Sequence, residues 1–133
     1  MPVATLFKVV VPSALAMLLM ACGVALRTIH NVQDAPVNVS SPAYDLSDLT
    51  KAIRWAGIEL GWEMQEEVPG HIVGTFVKGR HVAIVDITYT REQYSINYRS
   101  SRYLDYRGDR IHRNYNAWVR YLAVAIDANL ITL

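Results

Sequence analysis

The sequence predicts an α+β domain: a helix, a four-stranded antiparallel meander and a second helix, with both helices packed on one sheet face. Three observations carry this expectation. Apolar residues recur at helical spacing from Leu46 to Gly57 and again from Ile111 to Ile126. Between those stretches large apolar residues alternate with polar ones, the period of a sheet with one buried face. The breaks between the alternating runs are short, which makes the strands antiparallel neighbours, because a parallel crossover needs about a dozen residues or more. A meander of this kind has one face to cover, and two amphipathic helices can cover it.

Each element has its own justification. Asp45 or Ser47 caps the first helix, Asp48 sits in its first turn, and Leu46, Leu49, Ile53 and Gly57 share one face. Gly57 and Gly61 mark its end. Leu60, Trp62 and Met64 then alternate with Gly61, Glu63 and Gln65 as the first strand. Val68-Pro69-Gly70-His71 is a turn: proline presets φ at the second position, and glycine accepts the positive φ that a type II turn needs at the third. The second strand covers residues 72–77, Lys78-Gly79-Arg80 turns the chain, and the third covers 81–90 with Ala83, Val85, Ile87 and Tyr89 on one face. After a polar break at 90–93, Tyr94, Ile96 and Tyr98 alternate with Ser95, Asn97 and Arg99 as the fourth. The stretch YLDYRGDRIHRNYNAW, residues 103–118, turns at Arg107-Gly108-Asp109 into the last helix. Its stripe is Tyr115, Trp118 or Val119, Leu122, Ala125 and Ile126, and Asn129 suits its end. Arg113, Asn114 and Asn116 suit its start, where the first N–H groups lack partners and Asn is a favoured cap.

Residues 1–21 read as a secretory leader. Lys8 is the lone cation before the apolar stretch 9–21, which Pro12 and Ser13 interrupt. That stretch is shorter than the roughly 20 apolar residues of a spanning helix and suits the core of a signal peptide. It ends in Leu19-Met20-Ala21-Cys22-Gly23, which resembles a bacterial lipobox: an apolar residue, a tolerated one, a small one, then cysteine. The resemblance implies that the Cys22 thiol is diacylated and that the chain is cut before it. One acyl chain gives marginal membrane binding, whereas two or three give a stable anchor. Cys22 is the only cysteine, so no disulfide forms within the chain. Gly23 stands where Asp would signal retention in the inner membrane of enteric bacteria, so the expected address is the outer membrane, facing the periplasm. Residues 22–44 are expected to be the lipidated cysteine and a tether. They hold Pro36, Pro42, Ser40 and Ser41 with no sustained period, and they would keep the single domain, 45–133, off the membrane.

Charge is nearly balanced, with 13 Lys and Arg against 12 Asp and Glu. A nucleic-acid-binding domain is usually strongly basic, so no nucleic-acid partner is expected. The charge is unevenly placed: residues 34–67 hold seven acids and two cations, and residues 78–120 hold nine cations and four acids. Either the two regions simply face each other or water, or the second forms a basic patch for an acidic partner, lipid headgroups or peptidoglycan. The candidate interaction surface is Arg99, Arg102, Tyr103, Tyr106, Arg107, Arg110 and Arg113. Tyr103 and Tyr106 fall outside the strand alternation, which makes them better surface candidates than Tyr89, Tyr94 and Tyr98, whose alternation suits packing in a sheet.

No metal site or cofactor is expected. His71, His81 and His112 fall in different elements, and zinc needs three or four converging ligands, on the order of four in a structural site. No catalytic residue is assigned. His112 with Asp105 or Asp109 could make an acid–base pair, but no Ser or Cys nucleophile sits in a recognisable turn.

The segment PGHIVGTFVKGRHVAIVDITYTREQYSINYRSSRYLDY, together with IHRNYNAWVRYL, resembles a family of small proteobacterial lipoproteins that carries no assigned activity. The likeness spans about residues 55 to 122 and rests on Trp62, the Pro69-Gly70 turn, His81, Tyr94-Ser95-Ile96 and Asn114-Tyr115-Asn116 with Trp118. It implies the fold and the address and leaves the activity open. The expected function is a lipid-anchored, non-enzymatic accessory or binding module, attached to the membrane through acylated Cys22 and engaging an envelope protein. The alternatives are a glycan or lipid binder using sheet aromatics, or an envelope enzyme.

Overall fold

A computed structural model describes Ala4 and residues 25–133. Cys22 and, apart from Ala4, the leader lie outside the described residues. The elements are β1 (Leu26–Thr28), β2 (Val32–Pro36), α1 (Leu46–Glu59), β3 (Glu63–Val68), β4 (His71–Lys78), β5 (His81–Tyr89), β6 (Gln93–Arg102), β7 (Arg110–His112) and α2 (Arg113–Leu130).

This corrects the expected fold. Among the described residues two strands, β1 and β2, precede the first helix, and the main sheet has five strands, in the order β2-β6-β5-β4-β3, with a second two-stranded sheet, β1-β7. The stretch expected as a tether supplies two strands. β2 runs antiparallel to β6 and forms one edge of the main sheet, and β1 pairs β7 from Leu26 opposite His112 to Thr28 opposite Arg110. The sequence hides both for physical reasons. β1 and β7 are three residues each, too short to show a period. β2 changes register between Val32 and Ala35, where Asp34 takes a positive φ of 50°, so its alternation is broken. Pro36 closes β2 at a sheet edge, where a missing N–H is tolerated.

The meander from β3 to β6 is antiparallel throughout. Its hairpins need positive φ at Gly70 (85°) and Gly79 (61°), a region that glycine enters without the steric penalty of a Cβ. Asp45 caps α1 through a reciprocal box, accepting from the Asp48 N–H while the Asp48 carboxylate accepts from the Asp45 N–H.

One face of the sheet and both helices build the core. Leu49, Ile53 and Ala56 of α1 and Tyr115, Val119, Leu122 and Ile126 of α2 are buried with Met64, Ile72, Val85, Ile87 and Ile96 of the sheet. A Cβ on Gly57 would fall 2.4 Å from the Met64 sulfur, so glycine lets α1 lie close to β3. Trp62, Phe76 and Trp118 pack in sequence as tilted pairs at centroid separations of 5.2 and 4.9 Å and close one flank of the core. No helix among the described residues is long and apolar enough to cross a membrane.

Candidate functional site

The connection from β6 to β7 is a tight corner. Tyr103 and Asp105 both take positive φ, 56° and 52°, on either side of buried Leu104. Left-handed backbone is unusual for a bulky residue such as tyrosine and is held only where surrounding contacts fix it. Here the contacts are visible. The His81 ring nitrogen Nδ1 lies 2.6 Å from the Tyr103 carbonyl, and the His112 N–H donates to the Leu104 carbonyl at 2.8 Å. The two reversals send Leu104 into the core and leave the rings beside it outside. Tyr103 is 62 % exposed and Tyr106 47 %. The Arg80 guanidinium lies over the Tyr103 ring at 5.0 Å, and Tyr106 stacks on Tyr98 at 4.5 Å.

The structure divides the seven expected surface residues. Arg102, Tyr103, Tyr106 and Arg107 share this corner and are exposed. Among the described residues, no carboxylate or carbonyl is bonded to the Arg102 or Arg107 guanidinium. Arg99 is different: it donates to Asp86 at 3.2 Å on the sheet face opposite the helices. Arg110 is turned to the backbone, donating to the Leu26 carbonyl at 3.0 Å and so holding β1. The Arg107 and Arg110 backbones bond to each other across a turn in which Gly108 has a φ of 66°.

Arg113 belongs elsewhere. It lines a depression of ≈ 420 Å³ between β1 and α2 with Arg27, Thr28, Asn116 and Arg120. Sequence reasoning missed Arg27 and Arg120. Arg120 was legible, since Arg113, Asn116 and Arg120 are spaced by three and four residues and fall on one helical face. Arg27 was hidden by its assignment to a tether. Asn116 forms the floor and clamps the N-terminal segment: its Oδ1 accepts from the His30 N–H at 2.9 Å, and its Nδ2 donates to the Thr28 carbonyl at 2.8 Å. Asn116 is therefore not the helix cap expected from its position. The cap is His112, whose Nδ1 accepts from the Asn114 N–H at 3.1 Å. Burial, aided by the nearby Arg120 charge, holds the His30 imidazole below its ordinary pKa.

The residues considered for chemistry are also placed. His112 is occupied by its capping bond and stacks near His81, with centroids 6.2 Å apart. Neither Asp105 nor Asp109 is hydrogen-bonded to it through a side chain. The His–Asp pair in the structure is a different one, His71 Nε2 to Asp86 Oδ1 at 2.7 Å, with Arg99 on the same carboxylate oxygen. Among the described residues no hydroxyl or thiol bonds to the His71 ring, and no group of three potential metal ligands converges. Tyr89 and Tyr94 lie under the helices. The Tyr89 hydroxyl meets Thr50 of α1 at 2.6 Å, and the Tyr94 hydroxyl donates to Asp127 of α2 at 2.7 Å. Burial raises both phenols above their ordinary pKa, and for Tyr94 the Asp127 carboxylate adds to it. Tyr98, the third ring of the alternation, is only partly buried and stacks on Tyr106.

Comparison of the chain with protein-family models, with curated proteins and with solved structures gives no match.

Proposed function

We propose that the protein is a lipid-anchored envelope protein, held in the membrane through acylated Cys22, and that it works as a non-enzymatic binding module. The observation that carries the reading is the corner formed by Arg102, Tyr103, Tyr106 and Arg107. Two exposed aromatic rings stand there beside two guanidinium groups that have no internal partner among the described residues. Tyr and Arg are the residue types that dominate interface hot spots, because they combine a large apolar area with polar ends. The positive-φ backbone at Tyr103 and Asp105 fixes the corner before any partner arrives, which lowers the ordering cost of binding. The alternative based on the sheet aromatics has less support, since Tyr89 and Tyr94 are bonded to the helices. The enzymatic alternative has a histidine–aspartate pair to which, among the described residues, no hydroxyl or thiol is bonded at the ring.

The test is photo-crosslinking in living cells from a photoreactive phenylalanine analogue placed at Tyr103 or at Tyr106. The reading expects a reproducible protein adduct that disappears when Arg102 and Arg107 are changed to Glu. Absence of any adduct in a chain that is folded and acylated at Cys22 would refute the binding corner.

A further inference from the structure

The depression between β1 and α2 is a second cationic site, distinct from the Tyr103 corner. Arg113 and Arg120 stand two helical turns apart on one face of α2, about 10 Å along the axis, and Arg27 faces them from β1. All three are exposed, and among the described residues no carboxylate lies within 4.0 Å of any of them. Three like charges held around a concave surface repel one another and gain from an anion between them.

The position of this depression in the chain says what meets it. Arg27 lies five residues after Cys22, so its Cα is at most about 18 Å from the Cα of Cys22 in any conformation of the chain between. Had residues 22–44 been a free tether, Arg113 and Arg120 could have stood several times farther from Cys22. The docking of β1 onto β7 removes that slack. The opposite end of the domain carries the opposite charge. β5 runs from His81, beside the Tyr103 corner, to Tyr89, roughly 27 Å away. At that far end Asp34, Asp45, Asp48, Glu66 and Glu92 outnumber Lys51, Arg54 and Arg91.

We propose that the depression lined by Arg27, Arg113 and Arg120 seats the phosphate groups of anionic phospholipid headgroups, and so sets the domain down on the membrane with its acidic end pointing away. This rests on the reading that Cys22 is the anchor. The cations can then reach the headgroup layer, and within the roughly 8 Å screening length of physiological salt their attraction to a negative surface is felt. The acidic end lies well beyond that length.

The experiment uses the full chain, acylated in a bacterial host, purified and reconstituted in vesicles of phosphatidylcholine with or without phosphatidylglycerol. A photoreactive residue replaces Thr28 on the rim of the depression, or Glu92 at the far end as a control. Adducts are read by mass spectrometry. The proposal expects phospholipid adducts at position 28 and not at 92, with a severalfold rise when phosphatidylglycerol is present. It also expects that rise to vanish in the R27Q/R113Q/R120Q variant, with circular dichroism reporting that its fold is kept. Adduct yields at position 28 that are indifferent to phosphatidylglycerol, or to the three substitutions, would overturn it while leaving the anchor intact. So would a protein adduct in place of lipid when position 28 is probed in cells. The mass of the N-terminal peptide reads the anchor separately: an unacylated Cys22 would refute the anchor reading and remove the restraint on which this inference depends.

Discussion

The five-stranded sheet beneath its two helices and the β1 segment beside it are held by different forces. In the first, fully buried Ile53, Ile72, Ile87, Ile96, Leu122 and Ile126 interlock, and each buried aliphatic side chain contributes roughly 1.5–3 kcal/mol of apolar transfer energy. In the second, Arg27 and Thr28 are exposed and Leu26 is only half-buried. That patch is fixed by named polar bonds: the Ile29 N–H to the Asp109 carbonyl at 2.8 Å, both ends of the Asn116 amide, and Arg110 to the Leu26 carbonyl. A burial-dominated region resists local opening because its parts share one core. A region held by a few directional bonds can open alone. The contrast matters for function, since the weaker region is the one that fixes the distance between Cys22 and the cationic face.

Truncating the core should have the largest effect. Ile126→Ala removes a fully buried side chain from the α2 stripe and should cost about 2–5 kcal/mol, seen as an earlier urea or thermal transition of the whole domain. Asn116→Ala strikes the other region. It leaves the His30 N–H and the Thr28 carbonyl without their partner and should cost about 1–3 kcal/mol. The loss should be local: hydrogen exchange should quicken at residues 28–30 while the amides of β4 and β5 keep their protection. Equal acceleration across both regions would erase the distinction drawn here.

The two remaining effects depend on pH. Hydrogen bonding from the Asp48 backbone holds the Asp45 carboxyl below its ordinary value. The capping contribution is therefore fully present above the ordinary aspartate pKa of about 3.9 and is lost as pH falls through the lower folded value. Asp45→Asn keeps a cap and removes the charge, so it should flatten the acid limb of the stability curve while leaving neutral-pH stability little changed. The smallest effect is at His30. Its folded pKa is depressed, so the unfolded chain binds more protons as pH drops below the ordinary histidine value, and stability falls with it. Arg120→Gln removes the lesser cause and leaves burial. The His30 midpoint, followed by proton NMR, should rise toward the ordinary histidine value without reaching it.

What the sequence made legible follows the same division. The meander and both helices are written in alternation and in helical spacing, because burial on one face repeats along the chain. Leu49, Ile53, Val85, Ile87, Ile96, Leu122 and Ile126 stand on the expected faces. β1, β2 and β7 leave no such trace. Their stability comes from partners far along the chain, such as Asn116 for Thr28, and no local period records a contact across 88 residues. The result was a fold read one edge strand and one small sheet short, and a tether that is in fact docked. The candidate surface divided in the same way. Tyr103 and Tyr106 were legible as aromatics outside the strand alternation. Arg99 and Arg110 looked equivalent to Arg102 and Arg107 in one dimension, and only their Asp86 and Leu26 partners separate them.

The most direct test is amide hydrogen exchange on the acylated full chain, read at Ile29 and His30. Both amides donate to partners more than 75 residues away, Asp109 and Asn116. Docking of this segment predicts exchange slowed well below that of a free peptide, with Asn116→Ala restoring the fast rate. Exchange at the free-peptide rate in the unmodified chain would mean that the segment is a tether, and that the cationic face is not held at the membrane.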